Sequence, residues 1–113
     1  MPVPRPGSRV RGSRSGQPIM ALLDLLGRRW ALRILWELRD GPLGYTDLQA
    51  RCDRMSPSVL AQRLGELRDT TIVGTDATGA YELTTEGRAL LGALAPLAVW
   101  AKRWGARLRA PAR

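Results

Sequence analysis

The strongest constraint on the fold of this chain is a change in the spacing of its apolar residues near residue 71. Before that point, Leu60, Leu64 and Leu67 follow the spacing of a helix that packs on one face. Residues 72–84 contain β-branched residues and an alternation of apolar and polar side chains instead, which is typical of short strands. Helical spacing then returns and lasts almost to the end of the chain.

The same spacing predicts five helices around this strand pair. Pro18 and the Ser56-Pro57 pair suit helix starts, and a Gly-Pro pair at 41–42 suits a helix end. Pro96 lies inside the last helix and predicts a kink or a one-turn break there. The expected helices cover residues 18–26, 29–39, 45–51, 56–69 and 85–108.

This order predicts a mainly α fold with a small β-hairpin. The third and fourth helices, followed by a hairpin at 72–84, form a winged helix-turn-helix, to which a C-terminal helix is added. Residues 56–69 are then the recognition helix. The alternative is a small helical bundle with an incidental hairpin. In either case the 113 residues suit one domain, spanning 18–108.

Composition excludes several functional classes. The chain has no His and one Cys, so a Ser-His or Cys-His catalytic pair, a Cys/His zinc site and an internal disulfide cannot be built. We therefore expect no enzyme activity, no metal and no cofactor. No signal peptide or membrane span is evident, which predicts a cytoplasmic protein with no membrane partner.

The positive charge is concentrated at the two ends of the chain. Of the net charge of +8, residues 1–17 carry +4 and residues 102–113 carry +5, whereas the middle carries −1. The first 17 residues are rich in Pro, Gly, Ser and Arg, which predicts a disordered basic arm, and residues 109–113 form a basic tail. Such segments either bind polyanions such as nucleic acid or merely aid solubility.

The recognition helix presents several candidate DNA contacts. With Leu60 directed inward, Ser58 and Gln62 point outward and suit base edges, whereas Val59 and Glu66 fall on an outward shoulder. The alternative is an ordinary solvated face, because the basic and acidic residues of this helix balance. The DNA-binding candidates are Ser56, Ser58, Val59, Gln62, Arg63 and Arg68, with Thr78 on the wing and Arg11 and Arg14 on the arm.

Four segments, in register and in order, resemble the HxlR-type winged helix-turn-helix family. They are LLGRRWALRIL, GPLGYTDL, SPSVLAQRLGEL and YELTTEGR, which begin at Leu25, Gly41, Ser56 and Tyr81. The resemblance extends from about residue 19 to residue 104. It implies a bacterial, DNA-binding transcriptional regulator that acts as a homodimer on a pseudo-palindromic operator, and several members respond to reactive small molecules.

The resemblance also implies that the first and last helices join the two protomers. The last helix supports this, because its apolar residues keep a heptad-like spacing that needs a partner surface. Packing within one protomer is the alternative. The dimerisation candidates are Leu22, Leu90, Leu94, Leu97, Trp100 and Trp104.

The sequence departs from the family pattern in three places. The wing is short and acidic, without Lys or Arg, and Ser58 replaces a frequent Lys. The position of the sensing Cys of redox-responsive members is occupied by Gln17-Pro18, and Cys52 is expected to be a semi-buried small hydrophobe rather than a sensor. The four Trp residues either pack in the core and dimer interface or line a pocket for a small-molecule effector of unidentified chemistry.

Two functions remain open at this point. The first is a sequence-specific regulator that binds double-stranded DNA as a homodimer. The second is a non-catalytic winged-helix module that binds DNA non-specifically through its basic tails, or binds a protein partner. The neutral recognition helix and the acidic wing favour the second.

We predict that the basic arm replaces the wing as the source of flanking cations. Removing residues 1–16 should weaken DNA binding and reduce the slope of log K against log salt by about 2–4 per protomer, because each neutralised phosphate contributes about 0.9. Titrations at several salt concentrations measure this slope, and an unchanged slope in the truncated protein contradicts the prediction.

Overall fold

The computed structural model describes residues 17–110, and it confirms a mainly helical chain with a two-stranded antiparallel hairpin. The predicted arm with Arg11 and Arg14 lies outside the described residues, as does the end of the basic tail. The elements are α1 (Pro18–Leu26), α2 (Ala31–Glu37), α3 (Tyr45–Arg51), α4 (Pro57–Asp69), β1 (Val73–Thr75), β2 (Tyr81–Leu83) and α5 (Thr85–Arg109).

The core is one cluster of buried apolar side chains from α1 to α4 and both strands. Ile34 of α2, Leu38 just after that helix and Leu60 of α4 have no exposed surface, and Leu64 and Leu67 are nearly as buried. A fully buried side chain of this size contributes roughly 1.5–3 kcal/mol to folding. The predicted stripe of α4 therefore fixes which side of this helix faces the core.

The turn between α1 and α2 differs from the prediction. The second helix was expected from Arg29, but it begins at Ala31, because Trp30 adopts a left-handed backbone conformation with φ of 76°. The Trp30 ring packs against the core, which holds this unfavourable conformation in place. The turn carries the side chains of Arg28 and Arg29 towards α4.

The turn between α3 and α4 is tightly bonded. Gln49 donates from its side-chain amide to the carbonyl of Met55 at 2.8 Å, and the Tyr45 hydroxyl donates to the carbonyl of Pro57 at 2.5 Å. Ser56 occupies the N-cap position as predicted, but its hydroxyl bonds the Ser58 hydroxyl at 2.9 Å instead of a backbone N–H. These bonds fix the start of α4 against α3.

The wing is a hairpin with a third, single-residue neighbour. Val73, Gly74 and Thr75 pair with Leu83, Glu82 and Tyr81, respectively. Leu43 also exchanges two backbone hydrogen bonds with Tyr81, at 2.9 and 2.8 Å. A one-residue pairing has no periodicity, so the sequence gives no sign of it.

The last helix, α5, runs unbroken through Pro96. A kink or one-turn break was predicted there: the helix does not break, and the kink stays a prediction. The hydrogen bond that Pro96 cannot donate leaves the carbonyl of Gly92 without its helical partner, and Gly92 lies at the surface, where water can bind it. The side chain of Thr84 caps the helix by accepting a hydrogen bond from the N–H of Gly87 at 3.0 Å.

The start of α5 approaches β1 closely at Gly87. A Cβ on Gly87 would lie 2.1 Å from the carbonyl oxygen of Ile72, whereas one on Gly92 of the same helix would meet nothing within 4 Å. The wing is therefore attached to α5 by a backbone contact that only glycine permits.

Gly87→Ala should destabilise the protein by about 1–3 kcal/mol through this clash. Gly92→Ala, the matched control, should stabilise it by up to about 1 kcal/mol, because alanine favours a helix interior. Urea unfolding of both variants at one protein concentration measures the difference. Equal stabilities for the two variants would show that the close contact is absent.

Candidate nucleic-acid interface

The outward face of α4 is polar and open. Ser58, Gln62, Gly65 and Asp69 are all exposed, which agrees with the helical geometry expected from Leu60. These positions lie one turn apart along the side of the helix opposite its buried leucines. A duplex approaching this face would meet a hydroxyl and an amide capable of hydrogen bonding to base edges.

The shoulder predicted for Val59 and Glu66 is wrong. Val59 is half-buried and packs against the core, and Glu66 is only 6% exposed. A helical wheel of α4 alone placed both side chains outside, because it does not include residues of other elements that pack on that side. In the folded chain the turn between α1 and α2 covers Glu66.

Glu66 is buried within a cluster of charged side chains. One carboxylate oxygen lies 2.5 Å from Nη1 of Arg28, and the other lies 3.0 Å from Nη1 of Arg63. Asp24 of α1 also contacts Arg28, at 3.4 Å. These four side chains, here called the Glu66 cluster, join α1, the following turn and α4.

Arg63 is therefore engaged within the protein. Besides Glu66, its Nε donates to the backbone carbonyl of Arg29 at 2.7 Å, and its side chain is only 16% exposed. It was predicted to reach a DNA phosphate. In this arrangement its guanidinium instead fixes the position of the turn that carries Arg29.

Sequence reasoning missed Arg28 and Arg29 as residues of this region. In the sequence they are two adjacent cations in a turn, and no neighbouring residue indicates that this turn lies beside α4. Arg29 is exposed and has no acidic partner among residues 17–110, and its guanidinium lies 5.6 Å from the centre of the Trp30 ring. Arg68, predicted to contact a phosphate, is exposed near the end of α4.

The wing loop is ordered by one acidic side chain. Asp76 accepts from the Thr78 hydroxyl at 2.6 Å and from the backbone N–H groups of Thr78 and Ala80. The Thr78 hydroxyl and these backbone groups hold the pKa of Asp76 below its usual range. The loop therefore keeps these bonds at neutral pH and loses them only as acid protonates the carboxylate. Thr78 is exposed, but its hydroxyl already donates its proton to the Asp76 carboxylate.

The predicted dimerisation residues divide into two groups. Leu22 and Leu90 are half-buried against the core of the same chain. Leu97, Trp100 and Trp104 are 47–57% exposed, and the two Trp rings stack with their centres 5.5 Å apart. Leu108 extends this exposed apolar surface along α5, and Val99 is exposed on another side of the helix.

An apolar groove of about 590 Å³ lies between α2 and α5. Leu32, Trp36 and the predicted dimerisation residue Leu94 line it, and Arg39 places its guanidinium 4.0 Å from the centre of the Trp36 ring. Trp30, Trp100 and Trp104 do not line this groove. The four Trp residues therefore do not converge on one pocket for a flat ligand.

Cys52 is fully buried in the core at the end of α3, more deeply than the semi-buried position expected from the sequence. Burial raises the pKa of its thiol, although the nearby guanidinium of Arg33 opposes this. The protonated thiol dominates at neutral pH and is a poor nucleophile.

A metal site and a membrane-spanning helix are both absent from the described part of the chain. Residues 17–110 contain no group of three or more His, Cys, Asp or Glu side chains suited to a metal ion. None of the described helices is long and apolar enough to cross a membrane.

The family model of the HxlR-like helix-turn-helix matches residues 25–109. The chain belongs to the HxlR family. This confirms the resemblance found in the four sequence segments, and it makes the chain a DNA-binding transcription regulator of the winged helix-turn-helix type.

Individual relatives agree with this assignment. The chain is 31% identical over 88 residues to YvaP of Bacillus subtilis, an uncharacterized HTH-type transcriptional regulator, covering 73% of this chain and 82% of YvaP. It is 33% identical over 87 residues to the HTH-type transcriptional regulator YodB of the same organism, covering 72% and 78%. The crystal structure of quinone-bound YodB superposes with a TM-score of 0.69 at 32% identity, covering 75% of this chain and 94% of YodB.

Glu66→Gln should lower the free energy of unfolding by about 1–3 kcal/mol, because Arg28 and Arg63 then face each other without the carboxylate between them. Glu82→Gln, in the wing strand β2, is the matched control. Glu82 has no ion pair among the described residues, so its change should stay within about 0.5 kcal/mol. Chemical denaturation of both variants measures this, and equal effects contradict the structural role of the cluster.

Proposed function

We propose that this HxlR-family protein binds a pseudo-palindromic operator sequence-specifically as a homodimer in the cytoplasm, without enzymatic activity. The observation that carries the proposal is the face of α4, where Ser58 and Gln62 are exposed on a helix whose other sides are bonded into the protein. Gln can pair bidentately with adenine, and Ser with several bases. A fixed helix with exposed polar side chains is what base recognition requires.

The homodimer is supported by the exposed apolar surface of α5. Leu97, Trp100 and Trp104 are exposed on the second half of α5. Contiguous apolar surface of this kind marks an interaction site. In a two-fold dimer the same surface on each protomer covers the other, and we include Leu94 and the groove beside Trp36 in it.

Flanking contacts to DNA come from cations outside the wing in this proposal. The described wing carries Asp76 and Glu82 but no Lys or Arg, so it brings no positive charge to the minor groove. Ser56 and Arg68 lie at the two ends of α4, where backbone phosphates flank the major groove, and Arg11 and Arg14 belong to the basic arm. Thr78 and Val59 have a smaller part, because one is bonded to Asp76 and the other is half-buried.

A binding selection on random DNA at about 150 mM salt tests the proposal. Recovery of an inverted repeat, with half-sites about one helical turn apart, supports a dimer that reads sequence. Recovery of no consensus, with binding that disappears as salt rises, contradicts it. That outcome supports the alternative, a module that binds DNA non-specifically through its tails or serves a protein partner, and the acidic wing is the observation in its favour.

Gln62→Ala should relax the selected consensus at one position in each half-site. Loss of one bidentate contact costs about 1–3 kcal/mol of discrimination. The remaining positions of the consensus are the internal control, because they should be unchanged. Repeating the selection with the variant measures this, and an identical consensus removes Gln62 from base recognition.

A further inference from the structure

A polar cavity of about 290 Å³ lies beside the recognition helix, separate from the apolar groove. The turn between α1 and α2 forms one wall with Gly27 and Arg29, and α4 forms the other with Gln62 and Arg63. The cavity therefore adjoins the side chain that we place at a base edge.

The charged side chains that line this cavity are not all paired with a charge of opposite sign. Asp24 and Glu66 are the acidic residues lining it, and both contact Arg28. Arg63 contacts Glu66 and the backbone carbonyl of Arg29. Arg29 is the lining cation that has no acidic partner among the described residues, so the cavity has a net positive charge on an exposed guanidinium.

The position of Arg29 is fixed from two directions. Arg63 bonds its backbone carbonyl at 2.7 Å, and the half-buried Trp30 ring lies under its guanidinium at 5.6 Å. An arginine held in this way is ready to bind an anion, because less side-chain freedom is lost on binding.

We propose that Arg29 binds a backbone phosphate of the DNA strand whose base faces Gln62. This inference rests on the proposed function, since it takes DNA as the partner. Phosphates line the rim of the major groove, and a helix inserted there brings residues on its flank close to them. The planar guanidinium of Arg29 can donate two parallel hydrogen bonds to one phosphate. The turn before α2 thus supplies a flanking contact that the acidic wing does not.

The test uses Arg29→Gln, Arg29→Lys and the control Arg88→Gln in the full-length protein. Arg88 is an exposed arginine of α5 with no acidic partner among residues 17–110. It lies in the first turns of α5, after β2 has led the chain away from the wing tip. Affinity is measured at several salt concentrations, on the selected operator and on random DNA.

Arg29→Gln should reduce the slope of log K against log salt by about 0.9 per protomer, whereas Arg29→Lys and Arg88→Gln should retain it. A phosphate contact carries no sequence information, so operator and random DNA should lose affinity by the same factor. An unchanged slope for Arg29→Gln overturns the inference. A change in the ratio of the two affinities without a change in slope overturns it as well, and assigns Arg29 to positioning.

The slope on random DNA keeps this test separate from that of the proposed function. If the wild-type protein selects no consensus, sequence-specific recognition fails, but the effect of Arg29→Gln on random DNA still decides whether Arg29 binds phosphate. Titration of the wild-type protein with inorganic phosphate at constant ionic strength, followed by Trp fluorescence, should give no saturable change at millimolar concentration. Saturable binding that Arg29→Gln removes would instead indicate a site for a free phosphorylated molecule.

Discussion

The arrangement of this protein depends on one buried carboxylate. Removing a charge from water costs several kcal/mol unless hydrogen-bonded partners of opposite charge replace the water. Glu66 has two such partners, Arg28 from the turn before α2 and Arg63 from its own helix. Because Arg28 also contacts Asp24, the recognition helix is bonded to the first helix through side chains as well as through the shared core.

This constraint divides α4 into three sides with different tasks. Leu60, Leu64 and Leu67 pack into the core, and Arg63 and Glu66 join the Glu66 cluster. Ser58 and Gln62 stay exposed, Ser58 with its hydroxyl bonded to that of Ser56. A helix fixed on two sides presents the third in one orientation, which base recognition needs. The second half of α5 differs from α4, because its large apolar residues are exposed instead of packed into the core.

The elements that rest on local chemistry could be predicted from the sequence. The apolar stripe of α4, the Thr84 cap and the hairpin follow from spacing and side-chain type within a few residues.

The incorrect predictions share a non-local cause. Glu66 was placed outside because its partner Arg28 lies 38 residues away along the chain. Trp30 adopts its left-handed conformation because the core holds its ring. The pairing of Leu43 with Tyr81 joins two residues that are distant in sequence. Pro96 was expected to kink or break α5, but the helix does not break there, and the Gly92 carbonyl that loses its hydrogen bond belongs to an exposed residue.

The most direct test of this account is the ratio of operator affinity to random-DNA affinity in Glu66→Gln, compared with the wild-type protein and with Glu82→Gln. If the Glu66 cluster sets the orientation of α4, Glu66→Gln should lower this ratio at a temperature where circular dichroism shows the variant to be folded, whereas Glu82→Gln should retain the wild-type value. A folded Glu66→Gln variant with an unchanged ratio would contradict the claim that this buried carboxylate positions the recognition helix.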